Sequence, residues 1–240
     1  MSYLPSHVWY LITNFGGAGL TLPLALAIAL WLAIGYSWRL AAGWLVLLGI
    51  AIALVTATKI AFLGWGVGLR VWDFTGLSGH AMFATAVFPV AAFLVLLPTP
   101  PAVRLAGVAL ALVGGALVGL SRVIIDAHSP SEAITGCIVG ALTALAFVRL
   151  AWNATPPGRL PVAPVVLSLM VLTLGLHKVH LPTQRWVTHI ALKVSGHDHP
   201  FVRARWKALR DTQAPLSPVA PLAPIQKARN VAISLPDSDA

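Results

Sequence analysis

Polar positions along this chain are scarce and bunched, and the gaps between them carry the first structural signal. Six stretches contain no Asp, Glu, Lys or Arg: 20–36, 40–58, 81–97, 105–120, 133–148 and 161–176. Each has 16–19 residues, the short end of what crosses roughly 30 Å of hydrocarbon at about 1.5 Å per residue. Trp38, Trp65 and Trp152 flank these stretches and are placed to extend or anchor them at the interface. No alternating β-barrel pattern occurs, so helices are the spanning solution. The pattern predicts an all-α fold: a polytopic membrane helix bundle with six transmembrane helices over 19–176, followed by a basic C-terminal tail.

Composition agrees with a membrane protein. Hydrophobic residues are 58% of the 240 and charged residues 10%, against roughly 25% charged in ordinary globular chains, and mean hydropathy is +0.84. A soluble fold this poor in charge has too little polar surface to cover itself. Residues 1–18 lack the basic start of a signal peptide, and their apolar run 8–12 is too short to span, which predicts an interfacial segment. The single cysteine, Cys137, lies inside a span, where it reads as a small packing residue. From His177 onward nine Lys and Arg face four Asp. Val187, Ile190, Ala191 and Val194 recur there at helical spacing beside Arg185 and Lys193. This predicts a basic amphipathic segment over 177–210, lying on anionic membrane lipids, and a disordered Pro- and Ala-rich tail over 211–240. Much of the +9 net charge is thereby explained without nucleic acid.

Polar groups at membrane depth are costly, so their position is informative. Six helices bring the 59–80 and 121–132 connections to one side. Lys59, Arg70, Asp73, Ser78 and His80 then face Ser121, Arg122, Asp126, His128 and Glu132, a set suited to phosphate. Gly79 and His80 precede a helix whose free N–H groups and dipole favour an anion, although Ser78 reads equally as a helix cap. Arg122 can fork onto phosphate oxygens. His128 can attack phosphorus while Glu132 holds its other nitrogen, yet Ser129-Pro130-Ser131-Glu132 is also a capping box. His177 with His180, and His197 with His199, lack a third ligand and read as tail decoration; no metal or other cofactor is implied. Asp73 and Asp126 read as loop residues, and Gly114-Gly115 as close helix packing.

Leu77-Ser78-Gly79-His80, and Ser121-Arg122 followed after five residues by His128 and after three more by Glu132, resemble two motifs of a known family. They are the second and third motifs, P-S-G-H and S-R-x5-H-x3-D, of the type 2 phosphatidic acid phosphatase superfamily. The resemblance runs from about Lys59 to Val148. It implies a His128 nucleophile forming a phosphohistidine, Glu132 orienting it, and His80 as general acid. Lys59, Ser78, Gly79, Ser121 and Arg122 would hold the phosphoryl group, without metal. Three positions depart from the pattern: Leu77 stands for proline, Glu132 for aspartate, and Gly66 for the arginine of the first motif, K-x6-R-P. Arg70 is either its substitute or an interfacial cation.

The expectation is thus an integral membrane enzyme hydrolysing a phosphate monoester or diphosphate of a phosphorylated lipid. The alternatives are an inactive lipid-phosphate binder or transporter that keeps the pocket, and a phosphotransferase. Arg39, Arg104, Arg149 and Arg159 lie opposite the polar mouth, and by the positive-inside rule they put it at the periplasmic face of a bacterial inner membrane.

Overall fold

In the computed structural model, residues 5–154, 171, 175–176, 179 and 181–203 are described, and they are mostly helical. The helices are α1 (Ser6–Asn14), α2 (Ala18–Gly35), α3 (Trp38–Trp65), α4 (Gly79–Val95), α5 (Pro101–Ile124), α6 (Pro130–Ala151) and α7 (Thr183–Ser195). The only pairing of extended backbone among the described residues is an isolated bridge between Leu69 and Phe74.

Five of the six charge-free stretches fall on α2–α6; the sixth, 161–176, lies outside the described residues apart from 171 and 175–176. Among the described residues, four stretches are long and apolar enough to cross a membrane: His7–Gly35, Trp38–Trp65, Pro101–Ile124 and Pro130–Ala151. α4 is apolar but shorter. Its position explains its length, for it is the bundle's centre, with Met82, Val87, Val90, Phe93 and Leu94 wholly inaccessible. The outward faces of its neighbours carry exposed Leu30, Ile50, Leu110, Val113, Ile138 and Leu142, apolar surface of the kind that faces lipid.

Local chemistry sets the helix ends. Ser37 caps α3 by accepting the Arg39 N–H, and Gly66 closes it in the left-handed region at φ 69°, a conformation glycine adopts without strain. Pro101 starts α5, and Ser129 with Pro130 starts α6. The 211–240 tail, His177 and His180 lie outside the described residues. Part of α7's apolar face docks on protein: buried Ala191 sits against Gly64 of α3.

Between helices in lipid the hydrophobic effect is weak, so close approach at small residues does the packing. A Cβ on Gly136 would come within 2.6 Å of the Ser78 carbonyl, and one on Gly115 within 2.9 Å of the Thr85 backbone. Gly140 sits equally hard against the Met82 carbonyl, whereas Gly114 has nothing within 4 Å. The packing role expected of Gly114-Gly115 therefore belongs to Gly115. At the α2–α3–α6 junction, the buried Trp44 indole donates to the Ala25 carbonyl at 2.9 Å and meets Phe147 edge-on. Gly140→Leu should lower stability by about 1–3 kcal/mol, read by thermal unfolding in detergent. Gly49→Leu, at a position with nothing within 4 Å, should stay within about 1 kcal/mol of the parent; equal effects would refute this packing account.

Candidate active site

The α3–α4 and α5–α6 connections emerge at one end of the bundle, together with the α1–α2 junction. Between them lies a cavity of about 840 Å³ whose wall includes Lys59, Gly79, His80, Arg122, Asp126, His128 and Arg203.

The α5–α6 connection is a tight turn. Asp126 takes φ 56°, a conformation aspartate tolerates better than most residues. This lets the amides of Ala127 and His128 both bond the Arg122 carbonyl, at 3.0 and 3.1 Å. The turn thus ties His128 to the residue bearing the nearby guanidinium. Four residues on, Glu132 lies in the first turn of α6 with no exposed surface. Its Oε2 is 2.7 Å from His128 Nδ1 and accepts the Ser129 N–H at 3.2 Å. The capping box and the histidine contact are both formed, by one carboxylate. Oε1 accepts the Thr75 N–H at 2.7 Å and the Thr75 hydroxyl at 2.5 Å. Arg203 forms an ion pair with Oε2.

Burial pushes the His128 imidazole below its ordinary value, and the hydrogen bond to Glu132 opposes that shift in part. The Lys59 and Arg122 charges push the same way as burial. The result favours neutral imidazole. With Nδ1 directed to Glu132, Nε2 is the nitrogen left to react.

The cations differ in their commitments. Lys59 reaches Gln184 of α7 at 3.2 Å. Arg122 donates from one terminal nitrogen to Thr13 of α1 at 3.1 Å, but its buried Nε has no hydrogen-bond partner. An orphaned buried donor is costly, and an anion in the cavity would satisfy it.

Not every expected residue arrives at the cavity. Ser78 is fully buried and caps α4 through the Ala81 N–H. Ser121 is fully buried and donates back to the Val118 carbonyl at 2.6 Å. Arg70 is exposed on a short 3-10 turn, Arg70–Trp72. That turn is held outward by the Leu69–Phe74 bridge and by Ser131, whose hydroxyl donates to the Trp72 carbonyl. None of the three lines the cavity: the structure does not bring Ser78 and Ser121 to it, nor Arg70 in the role of substitute for the first-motif arginine. His197 is more than tail decoration, because its Nδ1 lies 2.7 Å from the Gly64 carbonyl.

Two partners of the site had no motif to mark them. Thr75 sits in an irregular loop, and Arg203 lies far downstream among other cations. Only a search for residues able to satisfy a buried carboxylate would have raised them.

The profile of the PAP2 superfamily matches residues 57–156. A Klebsiella pneumoniae protein described as an uncharacterized 22.5 kDa protein in the cps region is 37% identical over 199 residues, covering 81% of this chain and 95% of that relative. No solved structure matches the chain significantly. The matched residues include Lys59, His80, Arg122 and His128, which line one cavity, and the chain belongs to the PAP2 superfamily, whose membership supports a phosphatase-type activity.

Proposed function

We propose that this protein is an integral membrane lipid phosphatase that releases phosphate from a lipid monoester or diphosphate through a phosphohistidine on His128. The observation that carries the reading is His128 on the cavity wall, with the buried Glu132 carboxylate behind it 2.7 Å from Nδ1. In this reading the carboxylate holds the Nδ1 proton, so Nε2 attacks phosphorus and the P–O bond to the lipid breaks. His80, on the same wall, protonates the departing oxygen. Water then attacks the phosphohistidine and restores the free imidazole. Arg122 and Lys59 steady the phosphoryl oxygens, with the Gly79 amide at the start of α4. The rest of the wall favours a lipid: Ile52, Val55, Phe62, Leu63, Trp186 and Ile190 offer apolar surface continuous with the cationic end. The arginines opposite this mouth, Arg39, Arg104 and Arg149, favour a periplasmic site in a bacterial inner membrane.

A second reading, a binder that kept the pocket and lost the chemistry, draws on Gly66. It stands where the family pattern has arginine and caps α3 instead, and Arg70 lies exposed, off the cavity wall. His128→Ala separates the two readings. It should cut phosphate release from phosphatidic acid vesicles by roughly three orders of magnitude or more, abolish acid-labile labelling of the protein, and leave vesicle binding in place. Parent protein that binds these lipids without turning over any phosphorylated lipid would establish the binder.

The His128 shift sets a pH expectation. Attack needs neutral imidazole, whose fraction falls as pH drops through the histidine's own value, and that value lies below the ordinary 6.5. The acid limb of kcat/KM should therefore lie below pH 6.5. Glu132→Gln removes the partner that favours imidazolium, so it should move that limb lower still while reducing kcat. A limb above 6.5 in the parent would contradict the buried, neutral nucleophile.

A further inference from the structure

The chain beyond α7 is anchored, residue by residue, onto the end of α3. Gly64 lets α7 approach until a Cβ there would stand 3.2 Å from Ser195. Gly196 then turns the chain at φ 72°. His197 Nδ1 meets the Gly64 carbonyl at 2.7 Å, and its ring stacks edge-on against Phe201. Phe201 is buried against Phe62, and its N–H bonds the Leu63 carbonyl at 3.0 Å. Two residues later Arg203 reaches the cavity, pairs with Glu132, and donates to the Thr75 hydroxyl at 3.0 Å. Arg203 lies outside the stretch matched by the superfamily profile.

We infer that Arg203 is a positioning residue of the site, delivered by the 196–203 segment to hold Glu132 and Thr75 in register for His128. The inference rests on the reading of His128 as the phosphate acceptor. A guanidinium thus reaches the site from far downstream, whereas Arg70, one of the two readings for the missing first-motif arginine, lies exposed on the α3–α4 connection. Its effect on His128 is electrostatic as well as geometric. Oε2 of Glu132 faces both Arg203 and His128 Nδ1, so the guanidinium and the imidazole draw on one charge. Lys59 and Arg122 also act on the imidazole, His80 and Asp126 share its cavity wall, and all four remain when Arg203 is removed. Without Arg203, Glu132 loses its ion pair and its charge acts more fully on the histidine, and a neighbouring cation is gone. Both changes favour imidazolium, so the His128 value rises.

The test uses the full chain in detergent micelles, with the His128 titration followed by NMR of labelled histidine and assigned by the signal missing in His128→Ala. Arg203→Ala should raise the midpoint by about half a unit or more. It should also lower kcat on dioctanoyl phosphatidic acid roughly ten- to hundredfold, with KM changed less than about twofold. Arg203→Lys should restore most of both. An unmoved midpoint with unchanged kcat overturns the proposal, as does a loss carried by KM with an unmoved midpoint, which would make Arg203 a substrate contact. If Arg203→Ala does not fold, Phe201→Ala decides, since it loosens the anchor and keeps the guanidinium: a raised midpoint supports the proposal and the parent's midpoint overturns it. The titration needs no turnover, so a parent without phosphatase activity counts against the lipid phosphatase reading and leaves this readout intact.

Discussion

A carboxylate with no exposed surface must have its lone pairs met by donors, and Glu132 imposes that requirement on the whole cavity end of the bundle. Its donors come from separate places: Thr75 in the α3–α4 connection, Ser129 and His128 in the α5–α6 connection, and Arg203 beyond α7. Its backbone carbonyl accepts the Ser78 N–H as well, which ties the start of α4 to the start of α6. An isolated loop has little reason to keep one conformation. Each of these is held because leaving the carboxylate short of a donor costs about 1–3 kcal/mol or more.

The same residue closes a capping box and faces the histidine, and its length explains how. At the third position of α6, a glutamate can bend back to the Ser129 N–H while the same oxygen meets His128 Nδ1. The methylene that separates it from the family's aspartate therefore does not lose the histidine. The cap and the histidine contact do not compete, since both ask for a carboxylate at the N-terminus of a helix, where the dipole also favours negative charge.

Much of this was legible in the residues. The charge-free intervals marked α2–α6, and the two polar connections marked the mouth, because both signals are local and follow from the cost of charge in hydrocarbon. Lys59, His80, Arg122 and His128 come to one cavity because each lies at or beside a helix end on the same side of the bundle. What was not legible depends on contacts across the chain. Arg203 and Thr75 are 128 residues apart in sequence, and neither belongs to a repeating pattern. Ser78 and Ser121 carry the right chemistry, but a hydroxyl near a helix end has a nearer partner in its own backbone, and both took it. Arg70 was drawn toward the site by proximity in sequence, yet the Leu69–Phe74 bridge and the Ser131 contact turn its segment outward.

The cavity consequently has two halves of different construction. One is walled by α4, α5 and α6, whose separation is set by glycines pressed against backbone, so its geometry has little room to change. The other is walled by α7 and the residues after it, held to α3 by a few hydrogen bonds and the Phe62–Phe201 contact. In the proposed mechanism the groups that meet phosphorus, His80, Arg122 and His128, all sit on the first half. Groups that face the rest of a ligand, Trp186, Val187 and Ile190, sit on the second. A rigid phosphate end beside a more lightly fastened apolar end suits a ligand whose charged head is constant and whose tail varies. Arg203 lies where the two halves meet, so the fastening of the second half acts directly on the alignment of the first.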